Sequence, residues 1–184
     1  MWKVITFSVL LVLCQAAKIE DFYGDWLQAA FYPISAYVPV CIRFSFTKPL
    51  EDVQCTYSDG TNATSVQVAM MTDSNVLTEQ FTMPMMIVDT PDEVTPALNL
   101  TARCGDKEVK DRAVVRLLNK DTFVMYQNIP RATESETEKN SAYIFTRNPV
   151  SSEKLYELMT TIEDLKGRRG VMMCATENYG GFKV

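Results

Sequence analysis

The sequence contains no histidine. Ser-His-Asp triads, Cys-His dyads and His-ligated metal or haem sites are therefore excluded. It also lacks any basic block. Its 18 Lys and Arg stand against 23 Asp and Glu, a formal net charge of −5, which argues against nucleic acid and anionic membranes as main partners. No apolar run is long enough to span a bilayer; the longest, Val4 to Leu13, is broken by Thr6 and Ser8. Neither an internal repeat of about 20–50 residues nor a linker divides the chain.

What is present is an ordinary globular composition, 47% hydrophobic over 184 residues, enough for one domain with a sizeable core. The first residues read as an address. Lys3 supplies a positive flank, Val4 to Leu13 an apolar core, and Cys14-Gln15-Ala16 the small residues a signal peptidase recognises. Residues 1–16 are read as a signal peptide and 17–184 as a single domain of a secreted protein. Removal of the leader leaves 17 basic residues against 23 acidic, a charge of −6, and Trp26 as the only tryptophan.

Four cysteines then remain: Cys41, Cys55, Cys104 and Cys174. In an oxidising compartment an even set reads as two disulfides. They are too scattered for the close pairs of a zinc site. Three connectivities are open at this point. Two sequons, at Asn62 and Asn99, fit the same setting and mark candidate glycosylation sites, Asn62 following the turn signal Asp59-Gly60.

Along the domain, short runs of strand formers alternate with turn residues. Strands are expected at Trp26 to Tyr32, around Ile42, Phe44 and Phe46, at Val53 to Tyr57, around Val66, Val68 and Met70, and at Phe81 to Val88. Further strands follow at Ala97 to Cys104, Ala113 to Leu118, Thr122 to Asn128 and Ala142 to Thr146. Thr90 to Pro96 and residues 131–141 read as loops. One segment has helical spacing: Leu155, Leu158, Met159, Ile162 and Leu165 recur within Ser151 to Lys166, with Ser151 as N-cap and Gly167 at the end. Many strands followed by one late helix give an all-β barrel or sandwich.

Gly24-Asp25-Trp26 opens the first strand, Tyr32-Pro33 closes it, and Thr146-Arg147 closes the last strand just before the helix. In these features and their order the chain resembles the lipocalins of the calycin superfamily. It looks like a divergent branch, most similar to arthropod extracellular lipocalins. The middle signature of the family, T-D-Y, is reduced here to Asp121 with Phe123. The resemblance implies an eight-stranded antiparallel up-and-down β-barrel with one C-terminal α-helix packed on it. It implies that Arg147 covers Trp26 at the closed end, and that Gly24 and Thr146 share this structural role. It also implies a Cys41–Cys174 disulfide, and with it Cys55–Cys104.

A closed barrel of that kind holds one small ligand in its interior. Strand methionines suit irregular apolar ligands and aromatics add flat surfaces. The candidate lining residues are Phe44, Met70, Phe81, Met83, Met86, Phe123 and Met125, with Tyr37 at the rim. The competing reading is that the same side chains simply fill the core. Arg103 and Arg116 are candidates to enter the cavity, although solvent is the commoner place for arginine. The acidic pairs Glu51–Asp52, Asp92–Glu93 and Glu163–Asp164 read as solubilising charges. With no spare thiol, an enzyme is not expected, nor is a cofactor or a metal. The leading expectation is a secreted carrier of a small hydrophobic molecule such as a pigment or lipid, with no nucleic-acid partner and no membrane insertion. The alternative is a barrel with a filled cavity that binds or inhibits a protein partner through its surface or mouth loops.

Overall fold

The computed structural model describes residues 16–33, 41–50, 54–72, 76–109, 112–128 and 140–178. The leader residues up to 15, Tyr37 and the Glu51–Asp52 pair lie outside them. A 3-10 turn, Ile19–Phe22, feeds β1 (Gly24–Tyr32). Then come β2 (Ile42–Thr47), β3 (Cys55–Tyr57), β4 (Asn62–Thr72) and β5 (Leu77–Ile87). Helix α1 (Val94–Asn99), β6 (Ala102–Cys104) and β7 (Lys107–Val109) follow. The chain continues through β8 (Ala113–Asn119), β9 (Thr122–Gln127), β10 (Ser141–Thr146), α2 (Ser152–Thr161) and β11 (Val171–Met172).

Seven strands close on themselves in the order β1-β2-β4-β5-β8-β9-β10 and back to β1. The fold is thus a closed β-barrel with one main helix, but the strand count is seven rather than eight. The joint between β5 and β8 is parallel, with Met85, Met86 and Ile87 opposite Ala113, Val114 and Val115. An up-and-down barrel would place a strand there, antiparallel to both neighbours. Here that strand is drawn away: β6 pairs with β3, β7 folds back on β6, and Cys55 bonds to Cys104 across the β3–β6 pair. β5 and β8 run the same way and meet directly once nothing lies between them.

The stretch expected as strand Ala97 to Cys104 is therefore split. Val94, Ala97 and Leu98 stand at helical spacing and bury one face of α1. A 3-10 turn, Pro91–Glu93, replaces the expected Thr90 to Pro96 loop, and the Glu93 carboxylate accepts from the amides of Asp89 (2.8 Å) and Thr90 (3.1 Å). Pro96 lies in the first turn of α1, where no helical N–H is needed. Only Ala102–Cys104 remains extended. Near the C-terminus, the Ser151 hydroxyl accepts from Lys154 N and caps α2. This helix stops at Thr161 rather than Lys166, because Thr160, Thr161 and Ile162 are three successive β-branched residues. A 3-10 turn, Glu163–Leu165, carries the same apolar face onward, and Gly167 takes positive φ at its end.

Two large apolar clusters result, with a small third one of Leu27, Cys41 and Cys174. Of the large ones, one fills the barrel; the other lies outside it, where Leu155, Ile162 and Leu165 cover β1, β9 and β10, and α1 covers β8 and β9. Arg116 points into this outer layer and pairs with Asp164 at 2.7 Å, and Tyr126 Oη donates to the same carboxylate. Arg116 thus neither enters the cavity nor faces solvent, and Asp164 is a partly buried tie rather than a solubilising charge. Arg103 is exposed on β6.

Candidate ligand site in the barrel

The closed end is built from β1 and the segment before it. Trp26 is fully buried and donates its indole N–H to Phe22 O at 2.7 Å. The Arg147 guanidinium lies 3.6 Å from the indole centroid and donates to Asp25 O and Asp21 O. Stacking and two hydrogen bonds hold the plane flat on the ring. Gly24 has φ +99°, a conformation that favours glycine, and a Cβ there would come within 2.9 Å of Arg147 Nη1 and push the guanidinium aside. The Thr146 hydroxyl donates to Asn148 O, turning the chain away after β10.

Above this cap the lower barrel is filled with rings. Phe123 contacts Phe22, Trp26, Phe46 and Phe145, and Phe145 reaches Phe44 and Tyr143. Tyr143 in turn meets Phe31 at 5.1 Å. Period-two alternation turns these side chains inward on β2, β9 and β10. On β1 an irregularity between Gln28 and Ala30 shifts the register with β10. The shift lets Trp26 and Phe31, five residues apart, both face the interior.

Toward the opposite end of the barrel the lining changes from rings to methionine. On β9 Phe123 is followed inward by Met125, on β4 Val66 and Val68 by Met70, and on β5 Met85 by Met83 and Phe81. Exposure rises in the same direction. Trp26, Phe46, Phe123 and Phe145 are 0% exposed, Met125 is 3% and Tyr143 is 9%, while Ile42, Met70 and Phe81 are only half-buried. Two amides add polarity to the wall: Gln28 donates to Met173 Sδ at 3.2 Å, and Gln127 lies 3.9 Å from Met83 Sδ.

The C-terminal tail completes the wall. β2 pairs with β1 only as far as Leu27, and beyond it β11 takes over, with Ala30 opposite Met172 and Phe31 opposite Val171. Val171 and Met173 pack against the interior cluster, and the Cys41–Cys174 disulfide pins the tail to the start of β2. Gly170 passes so close to Tyr32 that a Cβ there would lie 2.7 Å from the ring. Burial under this tail pushes the Tyr32 phenol up to about 12, the Arg168 charge opposing it.

Six of the eight candidate lining residues meet in this one interior: Phe44, Met70, Phe81, Met83, Phe123 and Met125. Met86 does not. Inward alternation on β5 falls on Met83, Met85 and Ile87, so Met86 faces the outer layer. Tyr37 lies outside the described residues. The sequence reading missed Phe31, Tyr143, Val171 and Met173. The alternation of β10 was enough to find Tyr143, but no local signal marks the irregularity in β1 or the tail strand. Among the described residues there is no cluster of three acidic or cysteine side chains able to hold a metal ion, and no helix is long and apolar enough to cross a membrane.

No family model matches the sequence, and no curated protein matches it. Among solved structures the chain is similar to lobster apocrustacyanin A1, with 11% identity, a TM-score of 0.42, and 85% of this chain and 79% of that one covered. It is similar in the same degree to apocrustacyanin C2, with 11% identity, a TM-score of 0.41 and coverages of 86% and 79%.

Proposed function

We propose that this lipocalin-like barrel is a secreted carrier that binds a small hydrophobic molecule at its open end. The molecule rests on Phe31, Phe44 and Tyr143 and is enclosed by Met70, Phe81, Met83 and Met125. Phe123 belongs to the floor beneath it rather than to the contact surface. One observation carries this reading: interior exposure rises from zero at the aromatic plug to half-buried methionine and phenylalanine at the mouth. Flexible thioethers adapt to an irregular apolar guest, and the plug gives them a rigid base. Export of residues 17–184 after removal of 1–16 is part of the proposal, supported by the apolar leader and the two disulfides. Glycans at Asn62 and Asn99 fit the exposure of both side chains.

A second reading, a filled barrel that binds a protein through its surface, is favoured by the plug itself. A seven-stranded barrel is narrower than an eight-stranded one, and rings occupy its lower half. The test is the organic extract of protein purified from its native source, examined by mass spectrometry. A carrier retains close to one apolar molecule per chain, because release re-exposes apolar surface at about 25 cal/mol per Å². An empty extract, with no binding across a panel of lipophilic compounds, transfers the function to the outer surface.

A further inference from the structure

Beyond the pair Thr64–Met85, strands β4 and β5 part company. Asn62 and Ala63 turn aside to pair with β3, whereas Met86 and Ile87 pair with β8. The fork exists because β6 has left the barrel for β3. It opens an external crevice of about 730 Å³, roofed on one side by α1. Its apolar floor is made by Met86, Val88, Pro96, Ala97 and Leu100, and its rim carries Asp59, Asp89, Asp92 and Glu93.

Tyr57 stands on the crevice wall. The residue is 4% exposed, and its hydroxyl is buried with no hydrogen-bond partner among the described residues. A buried hydroxyl without an acceptor is destabilising, a cost that a bound acceptor removes. Of the four rim carboxylates, Asp59 is engaged with Thr61 and Glu93 with its own turn. Asp89 and Asp92 make no side-chain hydrogen bond or ion pair among the described residues. The cation behind Tyr57 is Arg112, whose guanidinium is committed to Ala97 O and Leu98 O at the end of α1.

From the crevice, its acidic rim and the stranded hydroxyl, we infer that the β4–β5 fork is a second small-molecule site, separate from the barrel, that takes an organic cation with an apolar body. The body lies on Met86 and Leu100, the positive group faces Asp89 and Asp92, and a hydrogen-bond acceptor on the ligand receives the Tyr57 hydroxyl. Ion pairing at an open rim is modest and screened by salt, so the apolar floor contributes most of the affinity and the carboxylates set the preference for positive charge.

The test is calorimetric titration of the intact mature protein at low salt with decylammonium, decanol and decanoate, repeated while the methionine methyl resonances are followed. Decylammonium should bind at least tenfold tighter than the other two and shift the Met86 signal. Asp89→Asn with Asp92→Asn should abolish that preference without moving the melting temperature, since both side chains are exposed. Met70→Glu, at the barrel mouth, should leave it intact. Glycine decyl ester adds a carbonyl acceptor, and Tyr57→Phe should weaken its binding severalfold while sparing decylammonium. Equal binding of the three decyl probes, or shifts at Met70 and Met125 in place of Met86, would overturn the site. Unchanged ester binding in Tyr57→Phe would overturn the role of the hydroxyl.

Discussion

Arg147 shows how much one side chain can organise. Its plane covers the indole of Trp26, its N–H groups reach two carbonyls of the entering segment, and it lies where a Cβ at position 24 would push it aside. Arg147→Ala should lower the unfolding free energy by about 1–3 kcal/mol. Arg147→Lys should recover only part of it, because an ammonium cannot stack as a plane. Gly24→Ala should cost a similar amount, about 1–3 kcal/mol, from positive φ and from displacing the guanidinium. Denaturant midpoints check all three, and an unchanged midpoint for Gly24→Ala would contradict the close approach. This corner was legible only through the family resemblance, whose short motifs carry Gly24, Trp26 and Arg147. Phe31 was not, since its direction depends on a register shift that forms only when β1 meets β10. Asp164 escaped for a related reason: on a helix-like face it reads as solvated, and only the packing of the segment onto β8 brings Arg116 to it.

Among the elements, the two that depart from an eight-stranded plan are both held by disulfides. β6 belongs to β3 through Cys55–Cys104, and the tail strand β11 belongs to the mouth through Cys41–Cys174. Patterning of strand formers made a strand legible in each barrel position, but it carries no information on which edge a strand will choose. For Ala97 to Cys104 it also misled, because Leu98, Leu100 and Ala102 alternate while Val94, Ala97 and Leu98 satisfy a helix face. The tail supplies a prediction. Cys41→Ser with Cys174→Ser should reduce stability by about 2–4 kcal/mol and expose the amides of Val171 and Met173, the two that face β1, to rapid hydrogen exchange. Any ligand at the mouth should leave faster through the loosened wall. Protection of those amides equal to wild type would show that β11 is held without the bond.

For the whole molecule, pH offers a test of burial on two faces at once. Tyr32, under the tail, and Tyr57, in the crevice wall, are both pushed up to about 12, chiefly by burial. Below pH 10 both are protonated in the folded and unfolded chains alike, and their stabilising contribution is complete. Between about pH 10 and pH 12 the unfolded chain releases protons that the folded one retains, so stability should fall as pH rises through that window. An alkaline absorbance titration should find tyrosines ionising late, near 12, together with loss of structure, and Tyr32→Phe or Tyr57→Phe should each remove part of that late step. All tyrosines ionising near 10 in a folded protein would contradict the burial of both rings.

At this scale the central proposal is that an aromatic plug supports an adaptable methionine chamber toward one end of the barrel. The most direct measurement is a titration with a panel of lipophilic compounds, followed through methionine ε-methyl resonances. Met70, Met83 and Met125 report the chamber, whereas Met86 and Met159 lie in the outer layer. The account predicts that a ligand shifts the first three at one equivalent and leaves Met159 unmoved, and that Met125→Glu abolishes the effect. Shifts confined to the outer methionines, or none with any compound, would contradict it.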